Sequence, residues 1–255
     1  MFRPRFIPVL LLSNNGLIKT IAYKHPQYLG DPLNAVQIFN KFKSDELVIL
    51  DINASKNGNS ISIQMVKEIG DEAYMPFAVG GGIRTLEYAE KLIQAGAEKV
   101  VLNTSAHLQP RLIGAIADQF GRQSVIVSMD VKKNLFGKEK VWIKGGTENT
   151  GLGALEYAQK AVEHGAGELM LTSIAHEGGM NGVHLDLIQE ISEQVHVPVI
   201  AHGGVGSLEH YKEGIRAGAS AVAAGSFFVY SGKQKGILIN YPDRTSLKGV
   251  FNEND

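Results

Sequence analysis

Val79-Gly80-Gly81-Gly82-Ile83-Arg84-Thr85-Leu86-Glu87 has a counterpart 122 positions later, in Ala201-His202-Gly203-Gly204-Val205-Gly206-Ser207-Leu208-Glu209. The same ungapped shift carries Glu46-Leu47 onto Glu168-Leu169, Pro76 onto Pro198 and Ala95-Gly96-Ala97 onto Ala217-Gly218-Ala219. A repeat of nearly half of the 255 residues divides the chain into halves of roughly 1–122 and 123–251. No linker, low-complexity tract or second domain interrupts residues 1–255. The polar tail after Phe251 is expected to fray.

Around these stretches, short apolar runs alternate with longer amphipathic ones. The expected strands are Phe6–Leu12, Glu46–Ile52, Pro76–Val79, Lys99–Asn103, Ser124–Asp130, Glu168–Ser173, Pro198–His202 and Ala221–Ser226. They are continuously apolar, as parallel strands covered on both faces must be. Between them, stretches such as Leu86–Ala95 and Ala154–His164 carry apolar residues at helical spacing. Gly96 and Gly165 stand where such helices need a left-handed closing residue. Eight βα units give a doubly wound sheet or a barrel. The half-length repeat favours the barrel, because two (βα)₄ halves close on each other. The chain is read as one α/β domain, a (β/α)₈ TIM barrel with a two-fold half-barrel repeat.

Composition narrows the function. The formal net charge is −1, which argues against nucleic acid, whose binders carry a basic stripe. There is no cysteine, so thiol and disulfide chemistry are excluded, and a cytoplasmic location fits. The apolar run behind Met1–Phe6 is broken by Pro8 and too short for a signal peptide. No stretch approaches a membrane span of roughly 18 apolar residues. Eight histidines without ligand spacing give no reason to expect a metal, and nothing points to a cofactor.

The Gly-rich loops point to an anion. Each follows a strand and opens a helix, where unpaired N–H groups and the positive dipole end attract phosphate. The next strand ends, Asn103-Thr104 and Gly225-Ser226, set small donors beside them. Tight βα turns need glycine anyway, so one such loop means little. Two related by the repeat make Gly81, Gly82, Asn103 and Thr104, with Gly203, Gly204, Gly225 and Ser226, two candidate phosphate grips. A ligand phosphorylated at both ends would fit them.

Further motifs carry a resemblance. Ile7-Pro8, Asp45-Glu46-Leu47, Leu50-Asp51-Ile52 with Ala54-Ser55, Gly80–Arg84, Leu102-Asn103-Thr104, Asp130-Val131-Lys132, Gly145–Thr150 (a Gly-Gly hairpin after strand five), Leu171-Thr172-Ser173 and Gly203–Glu209 together resemble the HisF family. These are the cyclase subunits of imidazole glycerol phosphate synthase, and the resemblance spans nearly the whole chain. It implies a HisH-like glutaminase partner on the N-terminal face, which supplies ammonia, and a bis-phosphorylated open-chain nucleotide as its acceptor. It further implies that Arg5, Glu46, Lys99 and Glu168 ring the mouth of an ammonia passage. Taken alone, those charges could equally plug the barrel bottom, paired because unpaired burial is costly.

The same resemblance places catalysis on carboxylates ending strands one and five. Asp130 supplies the second, although a carboxylate there could also be merely structural. For the first, the ungapped reading through Asn15–Lys19 puts Leu11 where the family has aspartate. A leucine cannot hold a proton, and losing one acid–base group costs roughly 10²–10⁴ in rate. Lys19 matches the family's mobile first-loop lysine, and Asp51 is placed to orient polar substrate groups. The sixth loop reads Ala175-His176-Glu177-Gly178-Gly179, unlike the family, so His176 and Glu177 are candidates for a new acid–base pair. His202, beside the second grip, is either a ligand contact or structural.

Three readings follow. The favoured one is a HisF-type paralogue that delivers ammonia to another acceptor, in the amidination of a surface-polysaccharide sugar beside a sugar amidotransferase. The second is a genuine cyclase of histidine biosynthesis, with Asp130 and repositioned groups carrying the chemistry. The third, an isomerase like the HisA sibling, suffers equally from Leu11.

Overall fold

In the computed structural model, which describes residues 4–232, 234 and 236–252, eight parallel strands close into a barrel. They are β1 (Arg5–Ser13), β2 (Leu47–Asp51), β3 (Phe77–Gly80), β4 (Lys99–Leu102), β5 (Val125–Lys133), β6 (Glu168–Ser173), β7 (Val199–His202) and β8 (Ala221–Ala224). Each pairs with the next, and β8 pairs with β1 to complete the ring. The outer layer is α1 (Pro32–Phe42), α2 (Ile63–Glu72), α3 (Leu86–Gln94), α4 (Arg111–Phe120), α5 (Ala154–Glu163), α6 (Leu185–Gln194), α7 (Leu208–Arg216) and α8 (Arg244–Asn252). No helix among the described residues is long and apolar enough to cross a membrane. Residues 253–255, most of the tail expected to fray, lie outside the described residues.

The repeat is visible in the helix ends. Thr85 caps α3 by accepting from the Tyr88 amide, and Ser207, 122 positions on, caps α7 through the His210 amide. Such caps satisfy orphan amides at about 1 kcal/mol each. Gly96 and Gly165 close α3 and α5 with φ of 110° and 108°, the left-handed geometry expected of them.

Strand alternation sorts side chains between two cores. Phe6, Leu10 and Leu12 face outward under the helices, with Val79, Val127 and Leu169 of other strands. Ile7, Val9 and Leu11 face inward, with Val48, Ala78, Val101, Ile126, Met170, Ile200 and Ala223. The chain ends are fastened to the barrel: the Tyr211 hydroxyl donates to the Pro4 carbonyl and that of Tyr241 to the Phe6 carbonyl.

Two strand extensions above the barrel were not anticipated at full length. The chain leaves β1 into a hairpin, Gly16–Ile21 against Lys24–Gly30, whose first strand also pairs with β1. Its turn, Ala22-Tyr23, has φ of 49° and 63°, angles usually taken by glycine or asparagine, so the sequence carries no turn signal there. β5 runs to Lys133, past the expected end at Asp130, and pairs with Glu139–Ile143. That segment and Glu148–Asn149 flank the Gly145-Gly146 turn, the hairpin expected after strand five.

Candidate active site

At the N-terminal end of the barrel, four charges from four strands meet. Arg5 contacts Glu46 at 2.5 Å and Glu168 at 2.9 Å, and Lys99 contacts the same carboxylates at 3.1 and 3.2 Å. Each glutamate therefore faces both cations, and the ring is neutral. Glu46 and Glu168 are buried, so the mutual pairing is what makes their desolvation tolerable. Burial works against the Arg5 cation, but Glu168 and Glu46 outweigh it and hold its pKa above the ordinary value. Above the ring, the barrel interior is apolar and includes the small side chains of Ala78, Ala221 and Ala223.

At the C-terminal end a cavity of about 270 Å³ opens between the βα loops. Asp130 is buried at its base. Desolvation raises its pKa to about 7, against hydrogen bonds from Tyr23, Ser128 and Asn103 that favour the anion. Tyr23 enters from the tip of the β1 hairpin. Burial and the nearby Asp130 carboxylate hold its phenol protonated, well above the usual pKa, so that it serves as a donor. Thr172 and His202 complete the floor: their side chains are 3.1 Å apart at the Thr hydroxyl and Nδ1. Burial, with Lys19 nearby, lowers the His202 pKa to about 3, so the ring is neutral near pH 7.

One side of this cavity is the first Gly-rich loop. Gly81, Gly82, Asn103, Thr104 and Lys144 line it, with Lys56 and Arg84 at the rim. Gly82 has φ of 64°, and a Cβ there would lie 2.0 Å from the Asn59 carbonyl. The glycine is thus required by packing of the preceding loop. Gly204 is held alike, with φ of 102° and the Gly182 carbonyl 1.9 Å from a Cβ position. At this second loop, however, the space among Gly203, Gly204, Gly225 and Ser226 is only about 10 Å³.

A family model described as "Histidine biosynthesis protein" matches residues 5–235. The chain belongs to that family. It is 46% identical over 248 residues to a Pseudomonas aeruginosa protein provisionally named imidazole glycerol phosphate synthase subunit hisF2, covering 97% of this chain and 99% of the relative. A Leptospira borgpetersenii protein, provisionally named as the HisF subunit, is 42% identical over 253 residues (98% and 100%). The imidazole glycerol phosphate synthase subunit HisF of Exiguobacterium sibiricum is 44% identical over 230 residues (89% and 91%). The chain is HisF-like over nearly its whole length.

Within this HisF-like barrel, strand register locates Leu11. Leu11 pairs with Leu50, and Asp130 pairs with Thr172. Leu50 and Thr172 are themselves 122 positions apart, so Leu11 is the first-half counterpart of Asp130. It is buried against Ile18 and Leu50 and lines the cavity. The other carboxylates lining the cavity are Asp51 and Glu177. Asp51 Oδ1 accepts the amides of Asn53 and Ala54 at 3.0 Å each, so this residue shapes the second loop while facing the cavity.

Two residues lie elsewhere than expected. Lys19 belongs to the hairpin strand and not to a loop; it is buried, with Nζ donating to the Val9 carbonyl at 2.8 Å. Desolvation lowers its pKa to about 8, although Glu177 opposes the shift. The structure does not bring His176 and Glu177 together. His176 turns to Ser173 at 2.7 Å and packs edge-on to His184. Glu177 turns the opposite way, accepting the Thr20 hydroxyl and the Tyr23 amide at 3.1 Å each. Among the described residues no His, Asp or Glu cluster could hold a metal.

Sequence reasoning passed over Tyr23 and Thr172 as site residues. For Thr172 a signal existed, since alternation along Glu168, Met170 and Thr172 points all three inward. For Tyr23 there was none, because its place depends on the unsignalled Ala22-Tyr23 turn.

Proposed function

We propose that this HisF-like barrel receives ammonia from a HisH-like glutaminase docked on its N-terminal face and delivers it to an acceptor other than the cyclase substrate. The acceptor we favour is a sugar of surface polysaccharide, amidinated together with a sugar amidotransferase. The observation that carries the reading is Leu11. It stands at the counterpart of Asp130 and leaves no carboxylate at that position; of the other two that line the cavity, Asp51 accepts loop amides and Glu177 holds the hairpin. The neutral ring of Arg5, Glu46, Lys99 and Glu168 and the apolar interior above it support passage of ammonia. A desolvated ammonium ion would be disfavoured there by several kcal/mol. Phosphate would sit at the Gly81-Gly82 turn and Thr104, where amides and three cationic side chains surround the cavity.

The test is turnover of the bis-phosphorylated nucleotide with ammonium salt at high pH, beside a Leu11→Asp variant. No product from the unmodified protein is expected, and product from the variant would place the lost chemistry at Leu11. Robust product from the unmodified protein would instead establish a cyclase in which Asp130 suffices.

A further inference from the structure

The two halves of the barrel mouth are unequal, and a buried lysine lies against the smaller one. Lys19 reaches down from the hairpin into the second half and lies against Gly225. A Cβ at Gly225 would sit 1.9 Å from its Nζ. The remaining space of about 10 Å³ holds at most one water molecule, whereas the first half keeps a cavity of about 270 Å³.

The hairpin carrying Lys19 is fastened in place. The Glu177 carboxylate accepts the Thr20 hydroxyl and the Tyr23 amide, and its carbonyl accepts the Ala22 amide at 2.9 Å. The fully buried Nζ is held by the Val9 carbonyl. Lifting Lys19 would break this set together. Repeat-related positions favour the same division. Gly80, Leu50 and Ser55 of the first half correspond to His202, Thr172 and Glu177 of the second, so the second half is filled by larger polar groups that bond one another and the hairpin.

We infer that this barrel takes a ligand bearing a single phosphate, seated at Gly81, Gly82, Asn103 and Thr104, and that Lys19 occupies the place of a second one. The ligand class is a phosphate monoester whose body reaches across Leu11 and Leu50 toward Asp130 and Thr172. The inference rests on the proposed phosphate role of the first grip. It differs in excluding a bis-phosphorylated ligand from the site as it stands.

The test is equilibrium dialysis of the full chain against radiolabelled inorganic phosphate, which counts sites directly. One phosphate per chain is expected, lost in Thr104→Asp and weakened about tenfold in Lys56→Glu, an exposed change that spares the fold. Lys19→Ala, which removes the plug, is expected to raise the count to two. Two sites in the unmodified protein, or one site unaffected by both first-half variants, would overturn the inference while leaving phosphate binding intact. A count of one in Lys19→Ala would overturn Lys19 as the plug. No bound phosphate at all would overturn the phosphate role of the first grip and this inference with it.

Discussion

Removing the charge of Lys19 is expected to change how stability depends on pH. The Lys19 ammonium has a pKa of about 8 in the fold, lowered by burial from an ordinary 10.5. Below pH 8 the amine is protonated both folded and unfolded, and its burial costs the fold the full difference. As pH rises through 8 the folded protein releases the proton while the unfolded chain keeps it until about 10.5. Stability therefore rises with pH over that window. At about 1.4 kcal/mol per pH unit, the gain is about 3 kcal/mol, or roughly 6–12 °C in Tm for a chain of this size. Lys19→Met lacks the titration but also loses the Val9 hydrogen bond, a loss that does not vary with pH. Thermal melts of both proteins at pH 7 and pH 10 isolate the effect. The unmodified protein should gain on the variant by most of that amount at the higher pH. A difference that stays flat would mean that the amine is solvated, the hairpin open and the second grip accessible, and the account of the barrel mouth would fall.

Two further outcomes follow from buried charge elsewhere. Asp130→Asn should stabilise the protein at pH 8 relative to pH 5. The raised Asp130 pKa of about 7 means that the fold binds this proton more tightly than the unfolded chain, so stability is lost as pH rises from about 4 to 7. Melts of the pair at the two pH values check this, and a variant less stable by the same margin at both would refute it. At the barrel bottom, Lys99→Met leaves Glu46 and Glu168 sharing Arg5 alone. Breaking such buried pairs costs about 3–5 kcal/mol, measurable by urea unfolding; a cost under about 1 kcal/mol would mean that the ring is hydrated rather than mutually paired.

The parts of this fold legible in sequence are those governed by local rules. Eight apolar runs and closing glycines such as Gly96 and Gly165 announced the barrel because hydrogen-bond and steric requirements act over a few residues. The ring of Arg5, Glu46, Lys99 and Glu168 was legible only through resemblance. Its members lie far apart in sequence and converge because each sits at the start of a barrel strand. The hairpin was not legible. Its turn uses Ala22-Tyr23 in left-handed conformations of non-glycine residues, each costing of order 1 kcal/mol, and Glu177, more than 150 residues away, holds it there. A tertiary bond overrode local preference, and it places Lys19 in a strand and turns Glu177 away from His176.

The repeat explains why the two ends of the barrel diverged so differently. At the bottom, Glu46 and Glu168 are repeat-related, while their cations are not: the counterpart of Lys99 is Ala221. A two-fold copy of the ring would have needed Lys at 221 beside Arg5, its register partner on β1, setting like charges against each other. Four members of alternating sign satisfy every charge, so the asymmetry there preserves neutrality. At the top no such constraint acts, and the second half carries Thr172 for Leu50, Glu177 for Ser55 and His202 for Gly80, each a largely buried polar group. Buried polar groups need partners, and the hairpin supplies them through Thr20, Tyr23 and Lys19. Closure of the second grip and absence of an acid at Leu11 then belong together. With Ile18 of the hairpin paired against Leu11, an aspartate at Leu11 would set a carboxylate against the hairpin, so Leu11→Asp should loosen the hairpin. Faster hydrogen exchange at the Tyr23 amide in that variant than in the unmodified protein would register that coupling, and unchanged protection would break it.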